Sequence, residues 1–174
     1  MASDSVLLFL DIDGVLNSRR WFVENYEYIR TRKTLSDRSK SQIDPAQVAL
    51  LNDLCDLNVE VVVSSSHRKS SSVDELSSML QELGLKLPVI GKTPTVISGC
   101  REVYRGLEIH TWLEAENRHT SNFIILDDSS DMGPLAYRHI RTEMEFGLNE
   151  EHIKEIRELI NIWRPRNGCV RQQK

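Results

Sequence analysis

Two aspartates separated by one residue are the feature of the sequence most suggestive of chemistry. They are Asp11 and Asp13, in the segment Asp11-Ile12-Asp13-Gly14-Val15-Leu16-Asn17. A carboxylate can attack a phosphate ester, and a second acid two residues further on can transfer the proton of the leaving group. Two more carboxylates, Asp127 and Asp128, stand side by side much later in the chain. Four acids gathered in one place would repel one another unless a hard cation neutralised them, and oxygen ligands suit Mg²⁺.

Three apolar runs determine where these polar side chains should lie. Residues 6–10 precede Asp11, residues 59–63 precede the serine cluster at 64–66, and residues 123–126 precede Asp127. Continuous apolar runs of this length indicate strands buried on both faces, as in a parallel sheet. Because ligands bind beyond the carboxyl ends of such strands, we predict that the acids and serines converge on one site.

Helical patterns alternate with these strands. They predict helices over about 45–57, 73–83, 102–116 and 149–162. The alternation favours a parallel sheet with right-handed crossovers, and therefore a three-layer α/β/α domain of Rossmann-like type. Weaker strands are predicted at 89–90 and at 139–142, the second at an edge of the sheet.

The helix predicted at 45–57 has the clearest start signal. Asp44 can cap it, Pro45 suits its first turn, Gln47 completes a capping box, and Ile43 with Val48 forms a hydrophobic staple. Its predicted inward stripe consists of Val48, Leu51, Leu54 and Cys55.

Length and composition predict one compact domain over residues 1–174, with a small insertion at 18–43 and a loose tail at 164–174. No stretch approaches the ~20 apolar residues of a membrane helix, and the first residues lack the pattern of a secretory signal. The three cysteines are widely spaced and form no Cys-x-x-Cys pair, so we expect reduced thiols and a cytoplasmic protein.

Other site types lack their required residues. A calcium-binding loop starting at Asp11 would need glycine at its sixth position and glutamate at its twelfth, where the sequence has Leu16 and Phe22. No glycine-rich nucleotide loop is present, so kinase and dehydrogenase functions lack support. Asp131 is interpreted either as a further acid of the site or as a helix cap.

Together these motifs resemble those of the haloacid dehalogenase superfamily, in its phosphatase branch. The segment from Asp11 to Asn17 is similar to the first motif of that family, Val-Val-Val-Ser-Ser to the second, and Ile-Ile-Leu-Asp-Asp to the fourth. The resemblance implies that Asp11 forms an aspartyl-phosphate while Asp13 serves as acid and base. It also implies that Ser64, with Ser65 as second choice, binds the phosphoryl group. The implied Mg²⁺ ligands are Asp11, the Asp13 carbonyl, Asp128 and Asp127.

The third motif of the family, a cation that balances the charge of the nucleophile, has three candidates. Arg105 is the first choice, and Lys92 and Arg68 compete with it. The stretch from Ser64 to Arg68 also resembles a small subset with Ser-Ser-Trp-Arg at this place, which is associated with nucleic-acid repair. His67 stands where that subset has tryptophan.

The segment 18–40 is basic within an acidic chain. It carries seven cations against three anions and four of the eleven aromatic residues, whereas the whole chain has a net charge of −4. Such a mixture can stack bases and hold phosphates, or can simply pack on the body as a solvated helix. We therefore expect a Mg²⁺-dependent phosphomonoesterase acting on a nucleotide or a nucleic-acid terminal phosphate. The alternatives are a phosphatase of sugar phosphates or phosphoproteins, and a non-catalytic phosphate-binding module.

Overall fold

The computed structural model describes residues 5–98, 101–118 and 122–163. The predicted tail at 164–174, together with Cys100, His119 and Cys169, lies outside these ranges. Within them, no helix combines the length and the apolar character needed to cross a bilayer.

Five strands form one parallel sheet. Their bounds are β1 Val6–Leu10, β2 Val59–Val63, β3 Val89–Lys92, β6 Phe123–Asp127 and β7 His139–Arg141. Two short strands, β4 Ile97–Ser98 and β5 Arg101–Glu102, pair antiparallel outside this sheet. The order in the main sheet is β3-β2-β1-β6-β7, and every pairing in it is parallel. The predicted parallel α/β fold is confirmed, with β7 at an edge.

The described residues form seven α-helices. Their bounds are α1 Arg19–Glu24, α2 Tyr26–Arg30, α3 Leu35–Ser41, α4 Pro45–Leu51, α5 Val73–Glu82, α6 Arg105–Ala115 and α7 Glu150–Trp163. Of these, α4 to α7 pack on the sheet. Three 3₁₀ helices lie at Asn52–Leu57, Ser66–Lys69 and Gly133–Arg138. The insertion predicted at 18–43 thus contains the three short helices α1 to α3.

The sheet has an apolar layer on each face. Successive side chains of a strand point to opposite faces, and in β1 Leu8 and Leu10 belong to one buried cluster while Leu7 and Phe9 belong to the other. The first cluster includes residues of α4, α5 and α7, and the second includes residues of α6. The three-layer arrangement therefore follows directly from the continuous apolar runs.

Two predictions about α4 are wrong. Asp44 does cap the helix, accepting from the Ala46 amide at 2.8 Å, but the Gln47 side chain donates to the Phe146 carbonyl instead of completing a capping box. Cys55 is exposed because the helix continues beyond Leu51 as a 3₁₀ helix. With about three residues per turn, that helix no longer keeps the α-helical stripe on one face.

The predicted start of α6 is also wrong. The helix begins at Arg105 and not at Glu102, because Arg101 and Glu102 pair with β4 as strand β5. This difference matters for the site, since it places Arg105 in the first turn of the helix.

Candidate active site

The first side of the site is the loop that follows β1. The Asp11 amide continues the ladder by donating to the Leu126 carbonyl at 3.0 Å, which ties the end of β1 to β6. The carbonyl of Ile12 then accepts from the amides of Val15, Leu16 and Asn17, so the chain turns sharply back. Asp11 itself is buried, and its Oδ1 has no hydrogen-bond partner among the described residues.

Gly14 allows this turn to pack against the acids of β6. Its φ is +72°, in the left-handed region that favours glycine. A Cβ added there would lie 2.6 Å from Cγ of Asp128, closer than real Cβ atoms come. The Gly14 carbonyl accepts from the Thr142 hydroxyl at 2.7 Å, which fixes the loop from the far side. Glycine is therefore favoured at this position for two reasons: it adopts the positive φ easily, and it has no Cβ that would collide with Asp128.

Three carboxylates meet between these loops. Ligand oxygens of Asp11, Asp127 and Asp128 all lie within 4.8 Å of one another. Asp127 is fully buried, and its Oδ2, like Oδ1 of Asp11, lacks a hydrogen-bond partner in the described part of the chain. Buried carboxylate oxygens without partners, grouped around one point, fit the oxygen-rich coordination that Mg²⁺ takes in proteins.

Burial and mutual repulsion raise the pKa values of the carboxyl groups of Asp11 and Asp127. Burial, reinforced by the negative charge of Asp11, raises the pKa of Asp127 to about 7. Burial also raises the pKa of Asp11, although the nearby Arg105 guanidinium and a hydrogen bond from Ser65 oppose the rise. Without a cation, the cluster is therefore easier to protonate than ordinary aspartates, and a bound divalent cation would relieve the same repulsion.

Arg105 is the cation that the structure places beside these acids. Its Nη1 lies 3.6 Å from Oδ1 of Asp11, and its Nε lies 3.6 Å from Oδ2 of Asp127. It also donates to the Ser64 carbonyl. The arginine is held in place because its amide donates to Oδ2 of Asp131 at 3.2 Å, so Asp131 caps α6 from a neighbouring loop.

The other two candidate cations lie elsewhere. Arg68 is buried and donates to the carbonyls of Ser64 and Ser65, at 2.6 and 2.9 Å, and to the carboxylate of Glu108. Lys92 donates to the carbonyls of Arg68 and Ser71. Arg68 therefore supports the serine loop from beneath, and Lys92 braces the segment that follows it.

The serines at the end of β2 lie beside the acids. The Ser64 amide donates to the Leu10 carbonyl at 2.9 Å, which joins this loop to β1. The Ser64 hydroxyl is buried and has no hydrogen-bond partner among the described residues. A buried hydroxyl without a partner, in a residue whose carbonyl accepts from Arg105, is suited to donate to an anionic group.

Asp13, the second acid of the opening pair, is more exposed than Asp11. Its Oδ1 accepts from Nδ2 of Asn17 at 2.8 Å, and its Oδ2 lies 3.5 Å from the Ser66 hydroxyl. Nε2 of His67 lies 3.8 Å from Oδ1. Interaction with His67, with help from Asn17, outweighs burial and holds the pKa of Asp13 below its usual value.

Three residues of the site were not given a role from the sequence. Asn17 orients Asp13, and its place at the end of the first motif was a usable signal. Glu108 pairs with Arg68 across 40 positions of sequence, so no local pattern indicates it. Gly106 lets α6 approach the loop after β6, because a Cβ there would collide with the Met132 carbonyl. In the sequence, a glycine one turn into the helix predicted at 102–116 was a weak sign of this contact.

Three of the seven cations in the basic segment 18–40 form ion pairs with carboxylates. Arg20 contacts Glu24 at 2.8 Å, Arg30 contacts Glu27 at 2.6 Å, and Lys40 pairs with Glu82 of α5. The Arg32 guanidinium lies 3.8 Å from the centre of the Tyr28 ring. The aromatic rings of Tyr26 and Tyr28 remain exposed. The segment thus presents exposed rings and a stacked guanidinium, and part of its positive charge is offset by ion pairs.

Comparison with known proteins places the chain in a family. Solved structures that are similar to it include a haloacid dehalogenase-like hydrolase from Streptococcus pneumoniae and a predicted phosphatase from Clostridium acetobutylicum. The first is 13% identical with a TM-score of 0.46, covering 88% of this chain and 91% of that one. The second is 16% identical with a TM-score of 0.45, covering 91% and 97%. No curated protein sequence matches the chain.

The match to a family model is more extensive. The model of the HAD domain in Swiss Army Knife RNA repair proteins matches residues 7–153, which include every acid, serine and arginine of the site described above. The chain therefore belongs to the family of HAD domains found in Swiss Army Knife RNA repair proteins, within the haloacid dehalogenase superfamily of hydrolases.

Proposed function

We propose that the chain is a Mg²⁺-dependent phosphomonoesterase that works through an aspartyl-phosphate on Asp11. The observation that carries this proposal is the state of the Asp11 carboxylate. It is buried, one of its oxygens has no hydrogen-bond partner among the described residues, and an arginine lies 3.6 Å away. A buried carboxylate with a free oxygen beside an arginine is suited to attack phosphorus.

The reaction has two steps, each of which uses Asp13. In the first, Asp13 takes up a proton as the anionic phosphate binds beside it, since a neighbouring negative charge favours the protonated carboxyl. An oxygen of Asp11 then attacks phosphorus, the bond from phosphorus to the ester oxygen breaks, and Asp13 gives its proton to the leaving alkoxide. In the second, water attacks phosphorus, Asp13 takes a proton from that water, and the bond to Asp11 breaks. The products are the alcohol and inorganic phosphate, and both aspartates return to their starting states. Transfer of this kind by a positioned acid contributes roughly 10²–10⁴ in rate.

The surrounding side chains have assigned roles in this proposal. The free hydroxyl of Ser64, assisted by Ser65, donates to the phosphoryl oxygens, and Arg105 balances the negative charge of Asp11 and the phosphate. Asp11, Asp127, Asp128 and the Asp13 carbonyl would hold Mg²⁺, which when bound neutralises the carboxylates and polarises the phosphoryl group.

A substitution at Asp11 tests the reaction class. With Mg²⁺ present, Asp11→Asn should reduce hydrolysis of an aryl phosphate to background, because an amide oxygen cannot replace the carboxylate as nucleophile. The control is Glu114→Gln, which removes an exposed carboxylate of α6. Phosphate release is measured for both variants, with and without a chelator. Undiminished turnover by Asp11→Asn would refute the proposed mechanism.

The substrate proposed is a nucleotide or, preferably, a terminal phosphate of RNA. The family to which the chain belongs is named for RNA repair proteins, which supports this class. The exposed rings of Tyr26 and Tyr28, with Arg32 stacked on the latter, provide surfaces on which bases can stack. One observation favours the alternative of sugar phosphates or phosphoproteins: the ion pairs of Arg20, Arg30 and Lys40 reduce the positive charge offered to a polyanion.

A substrate panel separates these alternatives. Oligoribonucleotides with a 3′ or a 5′ phosphate, mononucleotides, sugar phosphates and a phosphopeptide are compared at equal concentration by release of inorganic phosphate. We expect the highest kcat/KM for an oligoribonucleotide end, and a selective loss of that preference in Tyr28→Ala. A higher kcat/KM for sugar phosphates, unaffected by Tyr28→Ala, would establish the alternative.

A further inference from the structure

His67 is in contact with Asp13 but has no role in the reaction described above. Its Nε2 lies 3.8 Å from Oδ1 of Asp13, and the Ser66 hydroxyl lies 3.5 Å from Oδ2 of the same carboxylate. On the other side, Asn17 donates to Oδ1 from the loop to which Asp13 itself belongs. Asp13 is therefore held between its own loop and the loop that follows β2.

The backbone of His67 is fixed by its neighbours. Its amide lies 3.5 Å from the Ser65 hydroxyl, at the start of the short 3₁₀ helix Ser66–Lys69. The next residue, Arg68, is buried and bound to the carbonyls of Ser64 and Ser65 and to Glu108. The backbone of residue 67 is therefore held where the imidazole reaches Asp13.

The imidazole also faces a groove. His67 lines a cavity of about 470 Å³ between α3 and α5, together with the serines Ser36, Ser39, Ser70 and Ser71. Asp74, Glu75 and Glu82 lie along it as well, and its one lysine, Lys40, is paired with Glu82. Hydroxyls and carboxylates can hydrogen-bond the hydroxyl groups of the alcohol portion of a phosphate ester, such as the sugar of a terminal nucleotide.

We infer that His67 is a positioning residue, which holds the Asp13 carboxyl toward this groove so that a proton passes to a leaving alcohol lying within it. The inference rests on the proposed function, because it concerns the proton transfer of that reaction. His67 touches Asp13 and acts through it, and the groove defines the side of the site on which the alcohol portion of the substrate lies.

The test uses leaving groups that differ in their need for a proton. 4-Nitrophenolate can leave without being protonated, whereas an alkoxide needs a proton to leave. A misplaced Asp13 should therefore slow the hydrolysis of alkyl phosphates selectively. We expect His67→Ala to lower kcat on an alkyl phosphate such as glycerol phosphate by about 10–100-fold, since misplacement by about 1 Å can cost that much. On 4-nitrophenyl phosphate we expect a change of less than about threefold.

Two amide variants show whether the contact itself is responsible. The amide nitrogen of glutamine can take the place of Nε2, and that of asparagine the place of Nδ1. Because the contact to Asp13 comes from Nε2, His67→Gln should restore most of the alkyl phosphate activity, and His67→Asn should behave like His67→Ala. His110→Ala, which removes an exposed histidine of α6, is the control and should match the unaltered protein on both substrates.

The thermal unfolding of each variant is measured as well as its activity. If His67→Ala is unfolded at the assay temperature, the inference is judged from the activities of His67→Gln and His67→Asn. Equal losses on both substrates, a change confined to KM, or equal behaviour of the Gln and Asn variants would each overturn the inference. If Asp11→Asn abolishes turnover but the His67 variants are fully active, the proposed function stands and the inference fails. If the unaltered protein hydrolyses neither ester, both fail.

Discussion

The buried ion pair between Arg68 and Glu108 should be the most stability-sensitive polar contact of the site. Both side chains are only 4% exposed. Arg68 also donates to the carbonyls of Ser64 and Ser65, and Oε1 of Glu108 lies 3.4 Å from the Val96 amide. Burial lowers the pKa of the Arg68 guanidinium against the opposing effect of Glu108, but an arginine stays charged. Removal of Glu108 would therefore leave a buried charge without its counter-ion.

The expected cost follows from this burial. Removing one partner of a buried ion pair typically costs about 3–5 kcal/mol, which is a large share of a total stability of about 5–15 kcal/mol. We therefore expect Glu108→Gln, which retains an acceptor for the Val96 amide, to destabilise the fold by about 3 kcal/mol or more. At an m value of about 2 kcal/mol/M, the urea midpoint falls by about 1.5 M.

The matched control is a second Arg–Glu pair at the surface. Arg20 and Glu24 are 65% and 57% exposed, so solvent screens their attraction and the pair contributes little to stability. Urea unfolding of Glu108→Gln and Glu24→Gln, with the double variant Arg68→Met/Glu108→Leu, provides the assay. The double variant should be more stable than Glu108→Gln because it buries no lone charge. A loss below about 1 kcal/mol for Glu108→Gln, close to that of Glu24→Gln, would refute the reasoning.

Three further outcomes are expected. Gly14→Ala should destabilise the fold and weaken Mg²⁺ binding more than Gly84→Ala does, because both glycines have positive φ but only a Cβ at position 14 would meet Asp128. Urea unfolding and Mg²⁺ titration measure the two effects, and equal losses in the two variants would show that the contact with Asp128 does not matter. Mg²⁺ at about 100 times its Kd should stabilise the protein by about 2.7 kcal/mol, and raise the Tm by several degrees, an effect that Asp128→Asn should abolish; an unchanged Tm would argue against a metal site. Burial raises the pKa of Glu60, but hydrogen bonds from Ser5 and Arg118 outweigh this effect and hold the pKa below its usual value, so these bonds stabilise the fold above the unfolded-state pKa and the stabilisation is lost as pH falls through the folded-state pKa. Glu60→Gln should therefore reduce the free energy of unfolding at neutral pH and change it little in acid, and an equal loss at neutral and acid pH would refute this.

The sheet and the position of the site could be predicted from the sequence because both follow from local patterns. Each apolar run is a strand, and each is followed by the polar residues now found at one edge of the sheet. The fold class needed nothing beyond the alternation of strands and helices. The convergence of Asp11, Ser64 and Asp127 followed from the geometry of parallel sheets.

The errors come from contacts between distant parts of the chain. Gln47 was expected to cap α4, but its amide reaches Phe146, which lies 99 positions away. The sequence also left three candidate cations open: in the fold the Lys92 ammonium lies against the carbonyls of Arg68 and Ser71, whereas the Arg105 side chain reaches Asp11. Glu108 looks like an ordinary helical glutamate until the fold brings Arg68 beside it. No local pattern carries that information.

The ladder between the strand ends also has a consequence for folding. Amides and carbonyls of Asp11 and Leu126, and of Ser64 and Leu10, join three loops that come from distant parts of the sequence. Contacts of such long sequence separation form slowly, because loop closure must precede them. The site should therefore be absent from any fragment that lacks β6. Recovery of catalysis during refolding would then report the closure of the whole sheet, and should lag behind the appearance of helical signal.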